Sequence, residues 1–317
     1  MRRFAAVDLG SLTVRLAVAE LTGPGRFQVL AHYREVTGLG AGLGRNDHLA
    51  PEDMARTLAA LKGFVQVLGT QGVEVSRVVA TQALRQARNR EVFIQQVREL
   101  GLPVQILAPE EEARLSLKGV QSALAPEFLA LPELVVFDVG GGSSEWALIH
   151  PGRKTQFASL PLGVLSLSQA APLGDPPRPE AVAALQGEIE TRLGEFYQQT
   201  LQPHLTTAPR LVGTAGAVTT LAALALKMSR YDASRVNNLI LTRTQVADLA
   251  ALLCGLPEAE RARLPGLEPA KAGVMVAGSL IILSILQIFR QDSLVVIDAG
   301  LLEGVLGEMV EEFGGGG

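Results

Sequence analysis

Apolar residues along this chain come in two rhythms. Short unbroken or alternating runs bounded by glycine, proline or aspartate read as strands, and longer stretches with apolar positions every three or four residues read as helices. The amino-terminal "FAAVDLGSLTVRLAVAEL" reads as a strand, a tight Asp-Leu-Gly-Ser turn and a second strand. "LVVFDVGGGSSEWALIH" repeats that plan, and its Asp138 falls 130 positions after Asp8 with apolar runs at matching offsets. The repeat indicates an internal duplication in which each copy opens a domain.

Between the copies, "APEDMARTLAALKGFVQVLGTQG" (helix), "VSRVVAT" (strand), "NREVFIQQVRELG" (helix), "PVQILA" (strand) and "PEEEARLSLKGVQSAL" (helix) alternate. Strand–helix alternation of this kind defines an α/β class. After the second copy come a proline-dense loop at 172–180, a long helix, the strand-to-helix stretch "RLVGTAGAVTTLAALAL", two further helices, the strand "SLVVIDAG" and a last helix. The expected domains are 1–122 and 123–302, with a segment from about 303 to 317 packing back on the first. With no low-complexity linker between them, the two are expected to meet across a cleft. The final glycines read as a frayed or appended tail.

The 317 residues are 48% hydrophobic and 19% charged, enough for sizeable cores and unlike a disordered chain. A net charge of −4 argues against a general nucleic-acid binder. The single cysteine, Cys254, excludes an internal disulfide and fits a reducing cytoplasm. The most apolar stretch, 274–289, is shorter than the roughly 20 residues of a membrane span, so a buried helix is expected there and no membrane partner.

Candidate chemistry concentrates in the glycine-rich segments. "DVGGGSSE" lacks the Lys-Ser/Thr pair of a phosphate-binding P-loop and is followed by strand rather than helix. It reads either as a hairpin tip presenting bare amides to an anion or as an ordinary glycine hairpin. "DLGS" has the same two readings. "VGTAGAV" joins a strand to an alanine-rich helix, whose amino terminus favours phosphate, or is simply a tight connection. "ALRQARNR" gathers Arg85, Arg88 and Arg90 into the clearest basic cluster, and "PEEE" places Glu110, Glu111 and Glu112 in a first helical turn where acids suit the dipole. Composition does not choose among those three acids. The four histidines show no metal-ligand spacing, and no Gly-x-Ser-x-Gly elbow occurs.

Taken in order, "AAVDLGSLTVRLAVAE", "ATQALRQARNREVF", "EEEARLSLKGV", "VVFDVGGGSSEWAL", "VGTAGAVTTLAAL" and "IDAGLLEGVL" resemble the successive blocks of the exopolyphosphatase/guanosine pentaphosphate phosphohydrolase family, in its short two-domain form. That family belongs with actin, sugar kinases and heat-shock chaperone ATPases. The resemblance implies two ribonuclease H-like domains, Mg²⁺, and hydrolysis of the terminal phosphate of inorganic polyphosphate or guanosine pentaphosphate. It also admits a homodimer. By motif position it implies Glu112 as general base, Glu145 as second catalytic acid and metal ligand, Arg85 on the terminal phosphate, and Asp8 and Asp138 on the metal. It further implies Gly10, Ser11, Gly141, Gly142, Ser143, Gly213, Thr214 and Gly216 as phosphate-binding residues.

The chain departs from the family pattern at Leu12 (asparagine is usual), at Lys271 and Gly273 (an Arg-Ala-Asp triplet), at Asn237-Asn238 (His-Gly) and at Leu302 (arginine). These departures motivate a second reading, a non-catalytic polyphosphate or alarmone sensor. The shared superfamily loops motivate a third, an ATP-dependent sugar or carboxylate kinase relative.

Overall fold

The computed structural model describes residues 2–170 and 172–314. Glycines 315–317 of the expected tail lie outside the described residues. The chain divides into two compact units: residues up to Ser122 together with those from Gly300 onward, and Ala123–Ala299. The return to the first unit falls at Gly300, before the last helix begins, rather than after residue 302.

In the first unit, β1 (Arg3–Leu9), β2 (Thr13–Gly23) and β3 (Arg26–Val36) form an antiparallel meander. Strands β4 (Val75–Ala80) and β5 (Val104–Ile106) add in parallel on the far side of β1, giving the order β3-β2-β1-β4-β5. Central β1 is covered on both faces, which explains its unbroken apolar run. Ala5, Val7 and Leu9 point to one core with Leu61, Phe64, Phe93 and Val97 from the helices Pro51–Thr70 and Arg90–Glu99. Phe4 and Ala6 point to the other, with Leu115 from Pro109–Ala123 and with Leu301, Leu302, Val305 and Leu306 from the last helix, Leu301–Gly314. Leu302, where the family pattern has arginine, is therefore a core side chain, 3% exposed.

Helices 109–123 and 301–314 cross backbone to backbone. A Cβ on Gly304 would lie 1.9 Å from the Leu115 carbonyl oxygen, and one on Gly119 would lie 1.8 Å from that of Gly300. Glycine is required there for close approach.

The second unit repeats the plan. β6 (Leu134–Val139), β7 (Ser144–Ile149) and β8 (Gln156–Leu160) form the meander, and β9 (Arg210–Thr214) runs parallel to β6. β10 (Leu239–Thr242) and β11 (Ser293–Val296) complete the order β10-β11-β9-β6-β7-β8. Read from β8, the first five positions reproduce the first unit's topology, and β10 is an added antiparallel edge. The duplication extends to the turns: Gly10 N–H donates to Thr13 O at 3.0 Å and Gly140 N–H to Ser143 O at 2.9 Å. Both units are thus ribonuclease H-like α/β layers. The apolar helix Met275–Ile288 is buried on nearly every side, and among the described residues no helix is long and apolar enough to cross a membrane.

Two other departures from the family pattern have structural roles. Asn238 sits at φ +64, a left-handed position that asparagine tolerates better than most residues, and its side chain ties down Ala123 O and Ala125 N–H. Asn237 Oδ1 accepts from Asp298 N–H at 2.7 Å.

Glu133, just ahead of β6, clamps the approach to β9. Its buried carboxylate takes the hydroxyls and amides of Thr206 and Thr207. Burial alone pushes its pKa up, but the hydrogen bonds from Thr207 and Thr206 outweigh this and hold it below the ordinary glutamate range. A depressed folded-state pKa stabilises above the unfolded value, and that contribution fades as pH falls through the folded one. Glu133→Gln should therefore melt earlier than wild type at pH 7, with the gap closing as the pH drops below that of a free glutamate in a melting series. Gly304→Ala should lower stability by about 1–3 kcal/mol in urea denaturation, the overpacking cost exceeding alanine's helical advantage.

Candidate active site

In the first unit the expected residues collect at the carboxyl ends of β1, β4 and β5, where ligands of open α/β sheets bind. Asp8, 2% exposed, faces Arg15 across the hairpin. Arg15 donates to Asp8 Oδ2 from Nε at 2.9 Å and Nη2 at 2.6 Å. Asp8 Oδ1 is buried with no hydrogen-bond partner among the described residues. Gly10 closes the turn, and a Cβ on it would meet Thr13 O at 2.7 Å. The Ser11 hydroxyl donates to Gln82 Oε1 at 3.1 Å, linking the turn to the short helix Gln82–Gln86 that carries Arg85. Leu12 accepts the amides of Thr37 and Gly38 through its carbonyl, so its backbone anchors the following loop.

Arg85 Nη1 donates to Glu112 Oε2 at 2.5 Å and to Leu107 O at 3.0 Å. The sequence could not choose among the three acids, but burial does: Glu110 is exposed, Glu111 half-buried and Glu112 buried. Likewise only Arg85 of the basic cluster turns inward. Arg88 pairs with Asp47, and Arg90 pairs with Glu91 and donates to Arg85 O.

In the second unit, Ser159, Glu145, Asp138 and Thr214 form one row across β8, β7, β6 and β9. Glu145, 3% exposed, accepts from the Ser143 and Ser159 hydroxyls at 2.7 and 3.1 Å. The Gly140 and Gly141 carbonyls accept from the amides of Val164, Leu165 and Ser166, which open the helix Val164–Ala170. A Cβ on Gly163 would lie 2.5 Å from the Gly141 backbone. Part of the reason for so many glycines is therefore internal: another segment of the chain presses against the loop. The Gly141 and Gly142 amides donate to no acceptor among the described residues, so two bare backbone donors are left at the turn.

At the β9–helix junction, Thr214 donates its hydroxyl to Ala299 O at 2.9 Å, and Ala215 holds φ +70. The bareness of Gly213 is accounted for by the Phe137 ring, which a Cβ would meet at 2.8 Å. Gly216 lies against Lys271, whose Nζ would be 3.4 Å from its Cβ. Lys271 is buried and paired with Glu268 at 3.3 Å, so a cation stands beside this helix's amino terminus. Gly273 faces the Glu258 carboxylate.

Sequence reading missed Arg15, Gln82, Ser159 and Gly163. Arg15 alone had a legible signal: seven residues after Asp8 across a tight turn, it must lie opposite it. Among the described residues no three acidic, histidine or cysteine side chains form a cation cage.

Each of the two ribonuclease H-like units thus carries an acid at the tip of its central strand and a glycine turn beside it. The sequence model of the Ppx/GppA phosphatase family matches residues 17–313, and the chain belongs to that family. It is similar to exopolyphosphatase 2 of Mycobacterium tuberculosis, 31% identical over 326 residues that cover 96% of this chain and 98% of the relative. The crystal structure of the Aquifex aeolicus family member aligns with a TM-score of 0.78 at 33% identity over 98% of both chains. An exopolyphosphatase from Cytophaga hutchinsonii shares the fold, with a TM-score of 0.85 at 23% identity over 98% of both chains.

Gly163→Ala should push the 140–143 loop off its helix, lowering both the melting temperature and phosphatase activity. Gly187→Ala, at a helical position whose Cβ meets nothing within 4 Å, should do neither.

Proposed function

We propose that the chain hydrolyses the terminal phosphate of inorganic polyphosphate, with guanosine pentaphosphate as the second candidate substrate. The observation that carries this reading is the Arg85–Glu112 pair, held at 2.5 Å beside the carboxyl ends of parallel strands in a phosphatase-family chain. The name of the mycobacterial relative supports the polymer as substrate.

In this mechanism Arg85 binds the terminal phosphate and Glu112 accepts a proton from the attacking water. The water oxygen bonds to phosphorus as the anhydride P–O bond breaks in line, and the shortened chain leaves as an anion. Such transfer is chiefly positioning and charge neutralisation, to which a guanidinium and bare amides contribute. The Gly141 and Gly142 amides and the Gly213–Gly216 junction are assigned to phosphate oxygens, and the Ser143 and Ser11 hydroxyls would join them by turning from Glu145 and Gln82.

A divalent cation fits the donors. In the first unit Asp8 offers a buried oxygen with no hydrogen-bond partner among the described residues and, separately, in the second unit Asp138 and Glu145 are register neighbours. Mg²⁺ typically needs only one or two carboxylates beside substrate oxygens and water, so the lack of a closed cage is no obstacle. When bound, it would neutralise charge on the phosphates.

The sensor reading loses much of its motive, because Leu302, Asn237 and Asn238 occupy packing and backbone-tethering positions. Orthophosphate release should be measured side by side on long polyphosphate, tripolyphosphate and guanosine pentaphosphate with Mg²⁺. Glu112→Gln should cut kcat by roughly 10²–10⁴-fold with the fold intact, the usual contribution of a general base. Turnover at the wild-type rate in that variant, or none in the wild type on any of the three, would defeat the assignment.

A further inference from the structure

The second unit contains a cavity of about 480 Å³ lined by none of the residues assigned above. One wall is a π-helical turn, Tyr197–Leu201, that continues the helix Pro179–Phe196. The other is the carboxyl end of the helix Met275–Ile288 with Phe289 and Arg290. Its volume is within the range of roughly 300–1,000 Å³ usual for small-molecule sites. Two irregularities shape it. Single π turns are rare and concentrate at functional sites. Arg290 holds φ +53 as the left-handed cap of its helix, with Gln291 N–H donating to Leu286 O at 2.9 Å, which fixes where its side chain leaves the backbone.

The lining chemistry is selective. Gln198, Gln202, Gln287 and Arg290 all border the cavity as exposed side chains, and among the described residues none of them makes a side-chain hydrogen bond or ion pair, so a ligand would replace only water there. Tyr197 packs edge-on against Phe289 with ring centroids 4.8 Å apart, giving the site an aromatic side. Arg290 also complements the helix's carboxyl end, a role any surface arginine could fill. That role does not account for three exposed primary amides grouped with an aromatic wall around one cavity.

We propose that this cavity binds a nucleoside monophosphate. Primary amides donate and accept hydrogen bonds, as the polar edge of a nucleobase requires, the aromatic side suits the flat base, and one guanidinium matches one phosphate group. A polyphosphate chain would leave most of its charge unmatched here, so this site is separate from the proposed substrate site and does not rest on that assignment.

The protein carries its own reporter. Trp146, its only tryptophan, stacks on Phe289 at 5.9 Å with an interplanar angle of 10°. AMP, GMP, CMP and UMP, with orthophosphate and adenosine as partial ligands, should be titrated by calorimetry and by Trp146 emission. At least one nucleotide should bind with a Kd below about 1 mM and shift the emission, and both partial ligands should bind more weakly. Arg290→Glu should weaken binding at least about tenfold. Gly194→Leu should abolish it, because Gly194 lines the cavity on a helix and its Cβ would meet nothing within 4 Å. Unchanged melting curves would verify the folds, and Gln198→Ala combined with Arg290→Glu substitutes for Gly194→Leu if needed. No saturable binding up to about 10 mM would overturn the proposal. So would binding that survives these substitutions, which would place the nucleotide elsewhere.

Discussion

A carboxylate buried at the tip of a central strand is the constraint around which the first unit is arranged. Burying the Asp8 charge without compensation would be prohibitive, and the antiparallel register answers by setting Arg15 directly opposite. The register in turn depends on a turn tight enough to bring the strands back in step. That turn needs a residue at Gly10 with no side chain to strike Thr13. The second unit solves the same geometric problem with different chemistry. At the position equivalent to Arg15 it has Glu145, restrained by two serine hydroxyls. The duplicated scaffold has thus specialised, one copy pairing its acid with a cation and the other with a second acid.

Charge in the first unit's site is largely matched before any ligand arrives. Arg15 is committed to Asp8, and Arg85 to Glu112. On the proposed assignment, this reconciles an acidic chain with an anionic substrate. The net charge of −4 describes the chain as a whole, whereas the proposed binding would depend on a guanidinium that exchanges a carboxylate partner for a phosphate. Under the proposed mechanism, releasing Glu112 from Arg85 as Arg85 takes up phosphate would also tie the availability of the proposed base to the presence of substrate.

Much of this was legible from periodicity and repetition. The strands flanking Asp8 and Asp138 are unbroken apolar runs because both are central and covered on both faces, and the matched offsets revealed the duplication. The added edge strand Leu239–Thr242 was not legible, because its short run "LILT" carries no distinctive period. Nor was the π-helical turn, which differs from an α-helix by a single residue of slack. The glycines of 140–142 signalled close approach without saying of what. Gly163 is distant in sequence, and only the fold brings it against them. The same limit hid Ser159 and Gln82, whose roles come from strand register and helix placement rather than from any spacing in the chain.

The crossing of helices 109–123 and 301–314 also dictates when the molecule becomes whole. Ala6, Ala17 and Ala19 share a core with Leu301, Val305, Leu306 and Met309, which follow in the chain only after the whole second unit. Until that stretch leaves the ribosome, one side of the first sheet lacks its cover. The first unit is then begun before the second and closed only after it, with an apolar surface waiting through the synthesis of everything between.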